Sequence, residues 1–343
     1  MVMIRLLTFL VLAAGSLAAA RNLEIYFVDV EGGKSVLMVS PSGQSMVFDA
    51  GWPNTVNGSV SNDRIVAAVQ AAGLKRIDVL VISHFDVDHL GDVPQLATRI
   101  PIGHIYDHGE IQGPGATNAR AKERFDLYRA TREKIGYTKV RAGDRIPVKG
   151  IDVQVLSAGG QLITKALPRA GAPNALCAAN KQADALASDV EDDQSIGLLI
   201  TSGKFRMVDL ADLEAHPSHD LVCPNNLIGT ADVYNVNVHG QFKGVAPELA
   251  GALRAPVMIQ ANGPKKGADA KSWPILRGTP GLKDIWQLHY SVNAGPSANP
   301  PEDFVANPDG SDGFHWIKIS AVRDGSFTVT NSRNKFRKEY GKK

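Results

Sequence analysis

Cysteine is nearly absent: Cys177 and Cys223 are the only two in 343 residues. Two thiols are too few for a cysteine-based structural zinc site, which leaves one disulfide or two buried thiols. Net charge is as scarce. Against 37 Lys and Arg stand 35 Asp and Glu, and the resulting +2 provides no large field to gather nucleic acid on charge alone. Only one long apolar run exists, at the start of the chain, which excludes a multipass membrane protein. No segment repeats at a solenoid period, and no G-x-S-x-G nucleophile elbow is present. Gly32-Gly33 leads into another strand pattern instead of a helix, so it is no dinucleotide fingerprint. What remains is an ordinary globular composition, 44% hydrophobic and 21% charged, which argues against wholesale disorder. The 33 Gly and 19 Pro point to many turns and long loops.

The apolar run, Met1 to Ala20, reads as a secretory signal. Arg5 supplies the positive start, Leu6 to Ala14 the apolar stretch, and Ala18-Ala19-Ala20 a small-residue cleavage site. The competing reading, an uncleaved anchor, fits less well because the apolar core falls short of the ~20 residues that span a bilayer. The expectation is an exported protein, secreted or periplasmic, with no membrane span once the signal is removed. An oxidising compartment would let Cys177 and Cys223 bridge and tie an inserted loop to the core.

Strand patterns follow at Leu23 to Val30, Ser35 to Ser40 and Ser45 to Asp49, with a turn at Pro41-Ser42-Gly43. Helical spacing over Asp63 to Ala72 stops at Gly73. Ile77 to Ile82 is apolar except for Asp78, as a buried strand requires. A helix opens near Asp92-Val93-Pro94, a strand runs from Ile102 to Tyr106, and an exposed helix covers Ala119 to Ile135. After the strand Ile151 to Leu156, a Gly/Ala-rich excursion near residues 158–190 looks like an insertion. Further strands are expected at Ser195 to Thr201, Phe205 to Leu210, Asp232 to Val238, Pro256 to Gln260, Asp284 to Leu288, Phe314 to Ala321 and Ser326 to Thr330. His216 and His219 flank Pro217 and read as loop residues. The basic stretch 335–343 reads as a frayed tail. Strand meanders at both ends, with helices in the connections between them, suggest an α/β protein whose sheets are packed between helices.

The loop Ser83-His84-Phe85-Asp86-Val87-Asp88-His89-Leu90-Gly91-Asp92 carries the chemistry. Two His and three Asp fall within nine residues, directly after a buried strand, where layered α/β proteins place reactive groups. Imidazoles suit Zn, Fe or Mn, and carboxylates add harder character. Asp92 reads as a helix cap.

This segment resembles the H-x-[HD]-x-D-H motif of the metallo-β-lactamase superfamily, with Asp86 at the variable position. Other stretches agree in order: Phe27 to Gly33 followed by Ser45 to Gly51, then Ala211-Asp212-Leu213, then Val238-His239-Gly240. They are most similar to the branch of the DNA-uptake competence protein ComEC. The resemblance implies an αββα sandwich, two central mixed sheets flanked by helices, forming one domain over residues 21–334. It also implies one or two divalent metals, zinc, manganese or iron. His84, Asp86 and His239 would hold the first and Asp88 and His89 the second, with Asp212 between them. Asp88 would also act catalytically, orienting the attacking water or taking its proton. Many members have one further His ligand, for which His104, His108 and Asp193 are the candidates. Asp49 is expected to hold a ligand His in its tautomer, and His289 to contact substrate or serve as a structural His.

Three functions are then open: a phosphodiesterase or nuclease, a hydrolase of small cyclic esters or amides including lactones and β-lactams, and a non-catalytic binding protein on the same scaffold. The phosphodiester reading leads slightly. Nucleic acid remains a possible partner, although the charge does not indicate it, and the Lys265-Lys266 pair reads as solvated surface.

Overall fold

Each of two mixed sheets supplies strands whose carboxyl ends meet at one rim. The structure, a computed structural model, describes residues 21–54, 60–177, 189–308 and 313–341. The expected signal, the Asn57-Gly58-Ser59 sequon and residues 178–188 of the expected insertion lie outside the described residues.

The first sheet begins with the meander β1 (Leu23–Phe27), β2 (Val36–Val39) and β3 (Ser45–Phe48). It continues through β4 (Ile77–Val81), β5 (Ile102–Asp107) and β6 (Tyr137–Lys139). The second contains β7 (Asp152–Ala158), β8 (Gln161–Leu162), β9 (Gly197–Ser202), β10 (Phe205–Asp209), β11 (Val233–Asn235), β12 (Val257–Gln260), β13 (Asp284–His289) and β14 (Val305–Asn307). The chain then returns to the first sheet with β15 (Ile317–Ala321), β16 (Phe327–Asn331) and β17 (Arg337–Tyr340). The orders are β17-β16-β15-β1-β2-β3-β4-β5-β6 and β14-β13-β12-β11-β10-β9-β7-β8. Pairing is antiparallel from β17 to β3 and parallel from β3 to β6; in the second sheet β10 to β14 are parallel.

Three apolar clusters divide the layers. The largest, with Phe27, Phe48, Val81, Leu198, Met207, Ile259 and Trp286, fills the space between the sheets. A second seats α1 (Ser61–Ala71), α3 (Val93–Arg99) and α5 (Ala119–Ile135) on the outer face of the first sheet through Ile65, Leu96, Phe125 and Tyr128. The short α2 (Val87–Leu90) and α4 (Gly113–Thr117) lie between them in the chain. The third seats α6 (Ala215–Asp220) and α7 (Pro247–Leu253) on the second sheet, where α8 (Ser272–Arg277) also packs. Alternation along strands and 3.6-residue spacing along helices bury opposite faces, and the result is the α/β, metallo-β-lactamase-like αββα sandwich.

Two local expectations are corrected. The 335–343 tail is not frayed up to Tyr340: Arg337–Tyr340 pairs antiparallel with β16, and the buried Tyr340 stacks on Phe327. The stretch holding His216 and His219 is helical, because Pro217 sits in the first turn of α6, where no intrahelical N–H is required. Asp92 caps α3 by accepting from Gln95 N at 3.2 Å. Cys177 and Cys223 form a disulfide. Among the described residues no helix is long and apolar enough to cross a membrane.

Candidate metal centre

The loop after β4 is shaped before any ligand is considered. Asp49, buried at the end of β3, accepts from Ser83 N at 2.7 Å and from Ser83 Oγ at 2.8 Å, which fixes where the loop starts. The single turn α2 then points Asp88 and His89 inward. Asp88 O accepts from Lys34 N at 3.0 Å. A Cβ on Gly33 would fall 2.6 Å from that same carbonyl oxygen, so the Gly32-Gly33 break is what lets the meander approach the loop.

The second sheet delivers the remaining groups. Asp212 follows β10, and His239 follows β11 in a 3-10 turn, Val238–Gly240, whose Val238 and His239 have φ of 50° and 55°. A β-branched residue at positive φ is strained, and such strain persists only where the surroundings hold it. Here Val238 N donates to Ala211 O at 3.0 Å and Ala268 N to His239 O at 2.8 Å. A Cβ on Gly267 would clash with His239 O at 2.3 Å.

Two groups of metal-binding atoms result, each with its atoms within 4.8 Å of one another. One is Asp88, His89, Asp212 and His239; the other is His84, Asp86 and Asp192. In the first, His89 Nε2 lies 3.3 Å from Asp88 Oδ2 and 3.3 Å from Asp212 Oδ1, while His239 Nε2 lies 3.1 Å from Asp88 Oδ2 and 3.2 Å from Asp212 Oδ2. Both imidazoles are held from behind. His89 Nδ1 is 2.9 Å from Asp49 Oδ2, and His239 Nδ1 is 2.9 Å from Ala261 O, so each Nε2 points at the centre. In the second group His84 Nε2 is 3.5 Å from Asp192 Oδ1, and His84 Nδ1 meets the Ser83 and Ser195 hydroxyls at 3.0 and 3.3 Å.

The donors fit divalent metal. His84 Nε2 and Asp212 Oδ1 are buried without a hydrogen-bond partner, a costly state that a cation between them would relieve. The electrostatics agree. Burial opposes a charged His89, yet Asp212, Asp88 and Asp49 raise its pKa well above the usual imidazole value. Burial opposes a charged Asp88 too, but Lys266 and His89 hold its carboxyl well below the usual range. Asp86 goes the other way: burial, reinforced by Asp192 and Asp88 against the pull of His84, lifts it to about 6. Anions crowded this closely await a cation.

The structure groups some expected site residues differently. His239 lies with Asp88, His89 and Asp212, and not with His84 and Asp86. Neither His104 nor His108 joins the centre: His104 Nε2 bonds Thr138 Oγ1 at 2.9 Å, and His108 Nε2 bonds Glu191 Oε1 at 3.0 Å. The carboxylate in that region is Asp192, one residue before the candidate Asp193. Lys266 is not solvated surface. Its ammonium pairs with Asp88 and lies 5.1 Å from the centre of the Trp52 ring. A charged pair in a loop carries no signal that one member turns inward.

His289 lies outside both groups. It joins Asp29 and Glu31 in a third cluster, with Nε2 2.6 Å from Asp29 Oδ1, but Arg64 already supplies that cluster's positive charge. Beneath the centre, Lys34 is buried between Asp49 at 3.1 Å and Asp209 at 3.4 Å.

A family model for the metallo-beta-lactamase superfamily matches residues 28–164. No curated protein matches the sequence significantly. Among solved structures, the metallo-beta-lactamase fold protein YhfI from Bacillus subtilis is 13% identical, with a TM-score of 0.45 over 78% of this chain and 96% of its own. Igni18, a metallo hydrolase from Ignicoccus hospitalis, is 12% identical, with a TM-score of 0.40 over 80% and 97%. The diiron β-hydroxylase CmlA from Streptomyces venezuelae is 14% identical, with a TM-score of 0.40 over 70% and 44%. The family match spans the His84–His89 loop, and over that stretch the chain is similar to the metallo-beta-lactamase superfamily.

Proposed function

We propose that the chain is an exported, metal-dependent hydrolase that cleaves phosphodiesters, within the competence-protein-like branch of its superfamily. The observation that carries the reading is the presence of two ligand groups built around one loop, Asp88, His89, Asp212 and His239 beside His84, Asp86 and Asp192, with Lys266 paired to Asp88. His84, Asp86 and Asp192 would hold one ion, and Asp88, His89 and His239 the other, with zinc, manganese or iron as the candidates. When bound, a divalent metal lowers the pKa of a coordinated water to about 7 and stabilises charge on the group under attack.

The chain's own residues do the rest. Asp49 and the Ala261 carbonyl keep the proton of each imidazole on Nδ1, so both Nε2 atoms offer lone pairs. Asp88, whose carboxyl stays ionised beside Lys266 and His89, orients the attacking water. Lys266, 29% exposed and paired with Asp88, is placed to meet a substrate anion at the rim.

A second reading, hydrolysis of a small lactone or β-lactam, is favoured by one feature. A cavity of about 290 Å³, lined by Phe85, Asp86, Ile111, Pro114, Asn118 and Arg124, opens beside Asp86 and suits a small ligand better than a polymer. The test is metal analysis of purified protein, then assay of wild type and His84→Ala on bis-p-nitrophenyl phosphate and a chromogenic cephalosporin. Phosphodiester turnover lost in His84→Ala supports the proposal, and turnover of the cephalosporin alone favours the second reading. Absence of bound metal under every loading condition sinks both and leaves a binding protein. Activity unchanged in the variant sinks the proposed site.

A further inference from the structure

The two groups of ligands are chemically unequal. Around the His89 group, two imidazoles and Asp88 converge; around the His84 group, one imidazole faces Asp86 and Asp192. No second imidazole joins the His84 group among the described residues: His108 and His104 spend their Nε2 atoms on Glu191 and Thr138.

The segment carrying Asp192 is built to hold that carboxylate in place. The neighbouring Glu191 side chain accepts from Phe85 N at 2.9 Å and from Gln112 N at 2.7 Å, besides its contact with His108. Ser195 N donates to Asp192 O at 3.0 Å, and Ile196 N donates to Ser83 O at 2.9 Å, which ties the turn to the base of the ligand loop. The two oxygens of Asp192 divide their work. Oδ2 pairs with Lys243, which also pairs with Glu214 at 2.8 Å, while Oδ1 is turned toward His84. Asp192 is 3% exposed, and the fully buried His84 Nε2 opposite it makes no hydrogen bond.

We propose that Asp192 is the ligand that completes the His84 half, and that its carboxylate makes this half a site for manganese(II) while the imidazole-rich His89 half takes zinc. Oxygen donors suit manganese, whereas imidazole suits zinc, which also binds more tightly than manganese at most sites. Geometry and donor type must therefore favour manganese where it binds beside zinc. The donors are one nitrogen and two oxygens in the His84 half, and two nitrogens and two oxygens in the His89 half. The inference rests on the metal-centre reading above and adds to it the identity of each ion.

The experiment strips the full-length protein with chelator and reloads it with one equivalent of Zn²⁺ and an excess of Mn²⁺. After desalting, metal content is read by mass spectrometry and bound Mn²⁺ by electron paramagnetic resonance. The expected result is one zinc and one manganese per chain. In Asp192→Asn the manganese signal should weaken about tenfold or more while zinc stays, and Asp192→His should take two zincs and no manganese once Zn²⁺ is raised to two equivalents. Thermal melts of the zinc-loaded variants separate ligand loss from misfolding: a variant that melts as wild type yet loses manganese supports the proposal. Manganese unchanged in Asp192→Asn, or a wild type that binds zinc but no manganese, overturns it. An enzyme active with two zincs would sink this inference while leaving the hydrolase reading intact, whereas a chain that binds neither ion sinks both.

Discussion

The His89 and His84 halves of the centre come from one loop, yet they are held in different ways. In the His89 half each imidazole has a fixed partner behind it, Asp49 or the Ala261 carbonyl, and its front is drawn toward Asp88 and Asp212. There the imidazole Nε2 atoms lie 3.1–3.3 Å from carboxylate oxygens. In the His84 half the ring has only serine hydroxyls behind it, and in front its Nε2 faces Asp192 Oδ1 at the longer distance of 3.5 Å. The difference teaches that a ligand set can be oriented by partners of unequal strength. One half is fixed by a carboxylate and a backbone carbonyl and must exchange close ion pairs for a metal, while the other is fixed by hydroxyls and a longer contact.

The largest effect expected is from Asp212, which the resemblance places between the two ions. Asp212→Asn should lower turnover by about 10²–10³-fold, the scale of losing one strong transition-state contact, measured as kcat on the phosphodiester. A loss confined to KM would mean that the halves act separately. Cys177→Ser tests whether the contrast is local. Opening a bridge between residues 46 apart should cost about 2–4 kcal/mol in urea unfolding, with the metal ratio of the two halves unchanged. A changed ratio would show that the bridged segment shapes the His84 half.

Asp49→Asn should weaken metal binding at the His89 half alone, by about 10–100-fold, read in a competition titration with a chromogenic chelator. Equal weakening of both halves would erase the distinction. The smallest effect concerns pH. Asp86 carries a raised pKa, about 6 against 3.8, so the folded, metal-free protein binds a proton that the unfolded chain has lost. Stability from this group is complete below about pH 4 and is lost as pH rises through about 6. Comparing wild type with Asp86→Asn across that window should show a difference of about 1–2 kcal/mol, less than the ~3 that the full shift allows because neighbouring groups respond. Added metal, which needs the carboxylate, should reverse the slope.

What was legible in the sequence was whatever lies close along it. His84, Asp86, Asp88 and His89 share one loop, and the strand before them announces itself by apolar residues, so both position and chemistry are readable. The meander, the strands at 195–201 and 205–210 and the helix over residues 119–135 are local patterns too. Which half receives His239 is not local, since it depends on where the turn after β11 enters. Asp192 stands in the run Glu191-Asp192-Asp193, where only the three-dimensional path of the turn decides which carboxylate faces inward. Lys266 shows the same limit. β17 was missed because its alternating charged residues lie at an edge, where strand pairing owes more to the neighbouring backbone than to side-chain hydrophobicity.

Lys34 gives this architecture a tolerance for change. Its ammonium joins Asp49, at the end of a strand in the first sheet, to Asp209, at the end of a strand in the second. The distance between the loops that carry the ligands is thus clamped by a permanent resident cation, one layer below any exchangeable one. A ligand above it can be swapped, imidazole for carboxylate, without the two sheets losing their spacing. The scaffold separates the job of holding the rim together from the job of choosing the ion, and that separation leaves the chemistry at the rim free to diverge.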